Sequence, residues 1–252
     1  MCFANKQPQD FDDLSRYIVR CVRFAGNSPS TPIIDKADIY GSLDNQVDDS
    51  LKFIKRNIKT EARIVGSKRE ERFEFPDLAL REVVVNALVH RDYSNKGTFV
   101  QVTVFANRIE VLNPGTLPPG VTIENLKNSQ FSRNNVIAQV MRDMEYMEEF
   151  GRGIDLIYSQ MLEWNLPEPL FKNVANVFKV TLLGQGFREL NERQVKIWDY
   201  LQDKNQITAL IAHSLFPKVS RPTINNDLKK MQDMELIELK GTANNTYYIP
   251  RY

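Results

Sequence analysis

The chain has 252 residues, with 33 Lys+Arg against 32 Asp+Glu, 42% hydrophobic and 26% charged residues. That length allows one large domain or two ordinary ones with a sizeable core, and the balance is that of a folded rather than a disordered protein. The net charge of +1 excludes a histone-like polycation, and two cysteines, Cys2 and Cys21, exclude a disulfide framework or a four-thiolate zinc site. The scarcity of cysteine fits a reducing cytoplasm, and no apolar run approaches the roughly 20 residues that cross a bilayer.

Residues 1–13 are polar and open no recognisable element, while residues 18–24 (IVRCVRF) alternate as a strand does. A loop with Pro29 and Pro32 follows. Asp44 or Asn45 caps a helix to about Ile58, with Val47, Leu51, Ile54 and Ile58 at helical spacing. Residues 63–75 read as two short strands around Gly66, and Pro76 opens an apolar helix over 77–89. Residues 98–105 and 108–112 read as strands joined by a tight turn at Ala106 and Asn107. The stretch 113–120 is rich in proline and glycine and can be neither helix nor central strand. Short helices near 122–127 and 134–144, a turn at 151–153, a helix to about Trp164 and a strand at 177–183 complete an α+β layer with helices on one sheet face. The run LPEPLF within 164–171 reads either as a turn capping the core or as a partner surface.

A composition break at Gly184 and Gly186 sets off a C-terminal module over 186–252. It reads as helix 191–203, helix 207–215, a turn, a helix from Ser220, and strands 236–240 and 246–249. Ser220 is an N-cap and Pro222 sits in the first turn. Ile224, Leu228 and Met231 form an inward stripe, which leaves Arg221, Thr223, Asn225, Asn226, Lys229 and Lys230 for the other faces. Arg and Asn can pair with base edges, while Lys218, Ser220, Thr223 and the lysines suit phosphates. The order resembles the winged helix-turn-helix modules of bacterial and archaeal regulators, whose third helix enters the major groove. The same module read without DNA is a dimerisation or protein-contact unit.

Glu82, Asn86 and His90 lie at i, i+4 and i+8, one polar stripe on an otherwise apolar helix. Such groups need partners if buried and are site candidates if they face a cleft. Arg91 or His90 can bind an anion, or Arg91 can pair with Asp92 and hold the helix end.

Three stretches, FPDLALREVVVNALVHRDYS, RIEVLNPGTLPPG, and EEFGRGIDLIYSQM followed by FKVTLL, carry a more specific likeness. They resemble, in the same order, the C-terminal domain of proteins catalogued as RecG-related helicases or transcriptional regulators, a divergent branch of the GHKL (Bergerat-type) ATPase fold. The resemblance implies an ATPase-like α/β sandwich over 43–185, followed by the winged helix. It implies that residues 1–42 are a linker or strand remnant after a missing N-terminal Schlafen-like (AlbA-type) domain.

By that resemblance Glu82 takes the place of a water-activating carboxylate, and Asn86 that of the amide oxygen that coordinates magnesium. Asn113, Gly115 and Gly120 fall in a first glycine box, and Gly151, Arg152 and Gly153 in a second, with ATP and Mg as the implied cofactors. Asn113 stands where an aspartate normally receives the adenine amino group. The compact GRG replaces a longer glycine-rich lid, and Arg152 either contacts a phosphate or fills its place. Glu148 and Glu149 oppose a triphosphate unless turned away. A cleft left open between the Glu82 helix and 113–120 favours a nucleotide, whereas one plugged by Arg152 or Tyr93 favours a structural domain.

No GxxxxGK[ST] stretch occurs, so this chain carries no helicase motor by itself. Three functions remain to be separated. They are a cytoplasmic, dimeric DNA-binding regulator with a nucleotide-sensing domain, a weak Mg-dependent ATPase acting on nucleic acid, and a non-catalytic dimerisation scaffold. Residues 190–252 hold nine basic and seven acidic residues, leaving 24 and 25 upstream. The near-neutral average therefore hides a mildly basic module on a slightly acidic body.

Overall fold

The computed structural model describes residues 15–65, 68–129, 131–147, 152–184, 190–234, 236–242 and 245–250. In chain order the elements are β1 (Val19–Phe24), β2 (Ile33–Ile39), α1 (Leu43–Asn57), β3 (Thr60–Val65), β4 (Lys68–Phe73), α2 (Asp77–Val89), β5 (Val100–Val104), β6 (Arg108–Pro114), α3 (Asn135–Asp143), α4 (Gly153–Glu163), β7 (Leu170–Val174) and β8 (Val177–Leu183). The C-terminal part holds α5 (Glu192–Lys204), α6 (Ala209–Ser214), α7 (Arg221–Asp233), β9 (Ile237–Lys240) and β10 (Tyr247–Pro250).

Six strands form the main sheet in the order β2-β1-β5-β6-β8-β7. All neighbours are antiparallel except β1 and β5, which run parallel. Alternation sets the faces. Val100, Val102, Ile109, Val111 and Leu182 point to one side and join the buried core beneath the helices. On that side α2 contacts α1, α3, α4 and the sheet, so a helix apolar on almost every side is what the position demands. The other side of the sheet carries a buried ion network. Arg108 donates to Glu110 at 2.6 Å and to the Asn27 carbonyl at 2.9 Å, and Lys179 reaches Glu110 at 3.0 Å. Burial pushes the Glu110 carboxyl up, but Arg108 and Lys179 outweigh it and hold it below its ordinary value.

The C-terminal module has its own core, built on Ile197, Leu201, Ile224, Leu228, Met231 and Ile237. Asn191 and Gln194 form a reciprocal capping box on α5, and Ser220 caps α7. Strands β9 and β10 form a hairpin, and Ile207 exchanges both backbone hydrogen bonds with Tyr248 beside it. Leu170 and Leu183 also pack into this core, so the module sits against the β7–β8 end of the sheet, on the face away from α2.

Residues 33–39, read as loop after two prolines, are an edge strand, pinned to β1 by a bidentate Arg20–Asp38 pair at 2.7 Å. Together with β1 they give the main sheet two of its strands, although the sequence reading sets residues 1–42 apart from the domain. The helix expected near 122–127 is a turn followed by a 3-10 turn at Leu126–Asn128. The second half of LPEPLF opens the edge strand β7. No helix among the described residues is long and apolar enough to cross a membrane.

Candidate functional site

Helix α2 presents Glu82, Asn86 and its C-cap His90 along one side of a cavity of about 400 Å³. The Asn86 amide donates to Glu82 Oε1 at 2.8 Å. That bond commits the amide nitrogen and leaves the Asn86 oxygen as the group to offer a ligand. Glu82 is buried, and its carboxylate lies against the start of α4. A Cβ added at Gly153 would stand 1.7 Å from Glu82 Oε1, so only glycine admits the carboxylate there. His90 is largely buried in the cavity wall; desolvation, helped by the Arg133 charge, pulls its imidazole down to about 4, so the ring is neutral at pH 7.

The far wall comes from the end of β6. With its amide assigned from the hydrogen bonding, the Asn113 nitrogen donates to the Ala87 carbonyl at 3.0 Å, and the residue is part of the cavity lining. Gly115 has φ +110°, and a Cβ there would meet Asp92 Cβ at 2.9 Å and the Arg133 guanidinium at 3.3 Å. The backbone can make this turn only as glycine. Arg133 ties the turn down by donating to the Thr116 carbonyl, with Asp92 at 3.7 Å. Ser94 donates two bonds to Asp92, and these hydrogen bonds, ahead of the Arg133 charge, hold its carboxyl below the ordinary value.

The cavity floor is apolar and aromatic. Phe178 lies in register with Asn113 and stacks on Phe171 with ring centroids 6.1 Å apart, and both rings line the cavity. The segment 116–133 closes the remaining side through Leu117, Leu126 and Phe131. It is held to α4 by Lys127, whose ammonium sits 3.5 Å from the Tyr158 ring centre.

Glu82, Asn86, His90, Asn113, Gly115 and Gly153 therefore share one cavity. The other candidates lie elsewhere. Arg91 is 1% exposed and is not among the lining residues; it donates to the Thr98 carbonyl and stacks on Tyr17 and Tyr93 at 4.7 and 5.5 Å. Gly120 has φ +85° and open space around it, outside the lining. Arg152 is exposed at the α4 N-cap, and Gly151, Glu148 and Glu149 fall outside the described residues. Tyr93 turns its hydroxyl to the Leu88 carbonyl and also stays out of the lining, so neither Arg152 nor Tyr93 plugs the cleft. Two lining cations, Arg133 and Arg142, were invisible as site residues because they are more than 40 positions beyond the Glu82 stripe, on a segment with no glycine-box pattern.

In the C-terminal module, α7 exposes Arg221, Asn225, Asn226, Lys229 and Lys230, with Lys218 and Ser220 exposed just before it. Thr223 is half-buried against Ser220, hydroxyl to hydroxyl at 2.8 Å. Asp227, the one acid between Lys218 and Lys230, is 3% exposed and points inward. It accepts from Arg193 Nε at 2.6 Å and from Asn191 at 2.8 Å. The outer surface of the helix is thereby left cationic up to Asp233.

Residues 97–182 match the family described as "Putative ATP-dependent DNA helicase recG C-terminal". That segment holds the Asn113–Gly115 turn, Gly153 and the aromatic floor of the cavity, but begins after α2. The fold is similar to that of the DIP2311 protein from Corynebacterium diphtheriae, with a TM-score of 0.61 and 19% identity. The match covers 93% of this chain and 51% of that chain, so this chain spans about half its length. No curated protein matches the chain.

Proposed function

We propose that the chain is a DNA-binding regulator whose ATPase-like domain binds an adenine nucleotide. The observation that carries this reading is the open cavity on which the α2 stripe, the Asn113–Gly115 turn and Gly153 converge. The residues present fit Mg·ATP. Asn113 lines the cavity in register with Phe178, and its side chain would meet the exocyclic amine of a flat base laid on that ring. Among the described residues the lining carries two arginines and one carboxylate. About 400 Å³ lies within the range of small-molecule sites. No cluster of three or more His, Cys, Asp or Glu among the described residues could hold a metal alone. Magnesium would therefore be held by the Asn86 oxygen together with phosphate oxygens, where it would neutralise phosphate charge.

The regulator half of the reading rests on the C-terminal module. Its order of helices and hairpin, with Ile207 bridged to Tyr248, supports the winged-helix reading, and burial of Asp227 leaves α7 clear for phosphate. Lys218, Arg221, Lys229 and Lys230 would contact phosphates, while Asn225 and Asn226 would face base edges. The module packs behind β7 and β8 through Leu170 and Leu183, and the cavity-facing side of the same strands carries Phe171 and Phe178. Nucleotide state thus has a short path to the DNA-reading unit.

Gel retardation of duplex DNA across a salt series tests this half. With four phosphate contacts per module, log K is expected to fall with log salt at a slope of about −3 to −4. Retardation that is insensitive to salt, or unchanged by removing Lys229 and Lys230, would contradict it. A second reading, a weak Mg-dependent ATPase, is favoured by one feature: Glu82 is anchored by Asn86 inside the same cavity, where a carboxylate can orient water.

A further inference from the structure

Helix α3 lies antiparallel along α2. At one end Asn134, which precedes α3, donates to the Val89 and Arg91 carbonyls at 2.8 Å, at the C-terminal end of α2. At the other end Arg81, beside Glu82, donates to the carbonyl of Glu145, just beyond α3. This arrangement gives the cavity two distinct ends. Arg133, whose charge reaches His90, marks the end near Gly115 and Asp92, while Arg142, also in the lining, sits near the Glu145 end of α3, toward the start of α2.

The two arginines are not equivalent. Arg133 is already engaged, by the Thr116 carbonyl and by Asp92. Among the described residues Arg142 makes one side-chain hydrogen bond, to the neutral Gln139 at 2.8 Å, and no ion pair. Gln139 is itself held by Asp143 at 2.7 Å, so the guanidinium is steadied without being neutralised. A guanidinium in a cavity wall without an anionic partner can meet an arriving anion, and it is suited to paired bonds with phosphate oxygens. His90 cannot share the task, because its ring is neutral.

We infer that Arg142 is a phosphate-contacting residue that binds the polyphosphate tail of the nucleotide. The inference rests on the nucleotide reading of the cavity, in which the resemblance already turns the base toward Asn113, and it adds Arg142 as a contact for the phosphates.

The test is calorimetric titration of the 252-residue chain with Mg·ATP and, separately, with adenosine, for wild type, Arg142→Gln and Arg142→Lys. Arg142→Gln is expected to weaken Mg·ATP by roughly 10- to 100-fold, with adenosine affinity unchanged and Arg142→Lys partly restoring ATP. A merely structural role would weaken both ligands together, and that result overturns the assignment. Equal ATP affinity in wild type and Arg142→Gln overturns the assignment alone and leaves the nucleotide reading standing. If wild type binds neither ligand, the nucleotide reading fails and takes this inference with it. Thermal melts of each variant identify any that fail to fold.

Discussion

Gly153→Ala inverts an ordinary expectation. Alanine favours a helix over glycine by up to about 1 kcal/mol, so at an unobstructed start of α4 the change would be neutral or stabilising. Here the added methyl would lie 1.7 Å from Glu82 Oε1, 2.6 Å from its carboxyl carbon and 3.3 Å from Cγ. The carboxylate must leave its buried seat and give up the bond from Asn86. Overpacking together with a lost charge-assisted bond predicts a net cost of about 1–3 kcal/mol. In a Glu82→Ala background the obstruction is gone, and the same substitution should return to between zero and about 1 kcal/mol of stabilisation. Urea unfolding of the four proteins closes a double-mutant cycle with an expected coupling of about 2 kcal/mol. Additive effects, or a stabilising Gly153→Ala in the wild-type background, would refute the close approach of Glu82 to α4.

Three further outcomes follow from the same contacts. The folded chain holds His90 near 4, below the ordinary value of about 6.5, so between those pH values the unfolded chain binds the extra proton. Stability is therefore full above about pH 6.5 and falls as pH drops toward 4, by roughly 2–3 kcal/mol at most from this group. Denaturant titrations at pH 4.5 and 7 should show the loss, and His90→Asn should flatten it; an unchanged pH dependence would contradict the burial. Asp227→Ala strips Arg193 and Asn191 of their shared buried partner. The expected outcome is a lowered unfolding midpoint in denaturant; an unchanged midpoint would contradict a structural role for the buried carboxylate. Cys21 has its thiol pushed to about 12 by burial, so a disulfide reagent should leave it unmodified in the native chain and label it after denaturation.

What could be read from the sequence, and what could not, follows from chemistry. The α2 stripe was legible because Glu82, Asn86 and His90 interrupt a helix that is otherwise buried nearly everywhere. Asn113 and Gly115 were legible because proline and glycine crowd that turn. Strand β2 was hidden because an edge strand need not alternate cleanly: Ile33 and Ile34 are both exposed, and Pro32 precedes them. Strand β7 was hidden by two prolines and by its length, although its Phe171 forms part of the cavity floor. Arg91 drew attention as a cation in a polar cluster, yet nothing local revealed that Tyr17, 74 positions earlier, would stack on it. Arg142 was missed for the converse reason. On α3 it falls on what reads as an ordinary solvated face, and only the antiparallel packing on α2 turns it toward the cavity.

The central claim is that the cavity between α2 and the 113–120 turn takes a nucleotide. Calorimetric titration of wild type and Asn86→Ala with ATP, in the presence and absence of magnesium, tests it directly. The account predicts one site per chain in wild type, an affinity that magnesium raises, and loss of that magnesium dependence in Asn86→Ala. No binding by wild type, or a magnesium effect that survives Asn86→Ala unchanged, would contradict it.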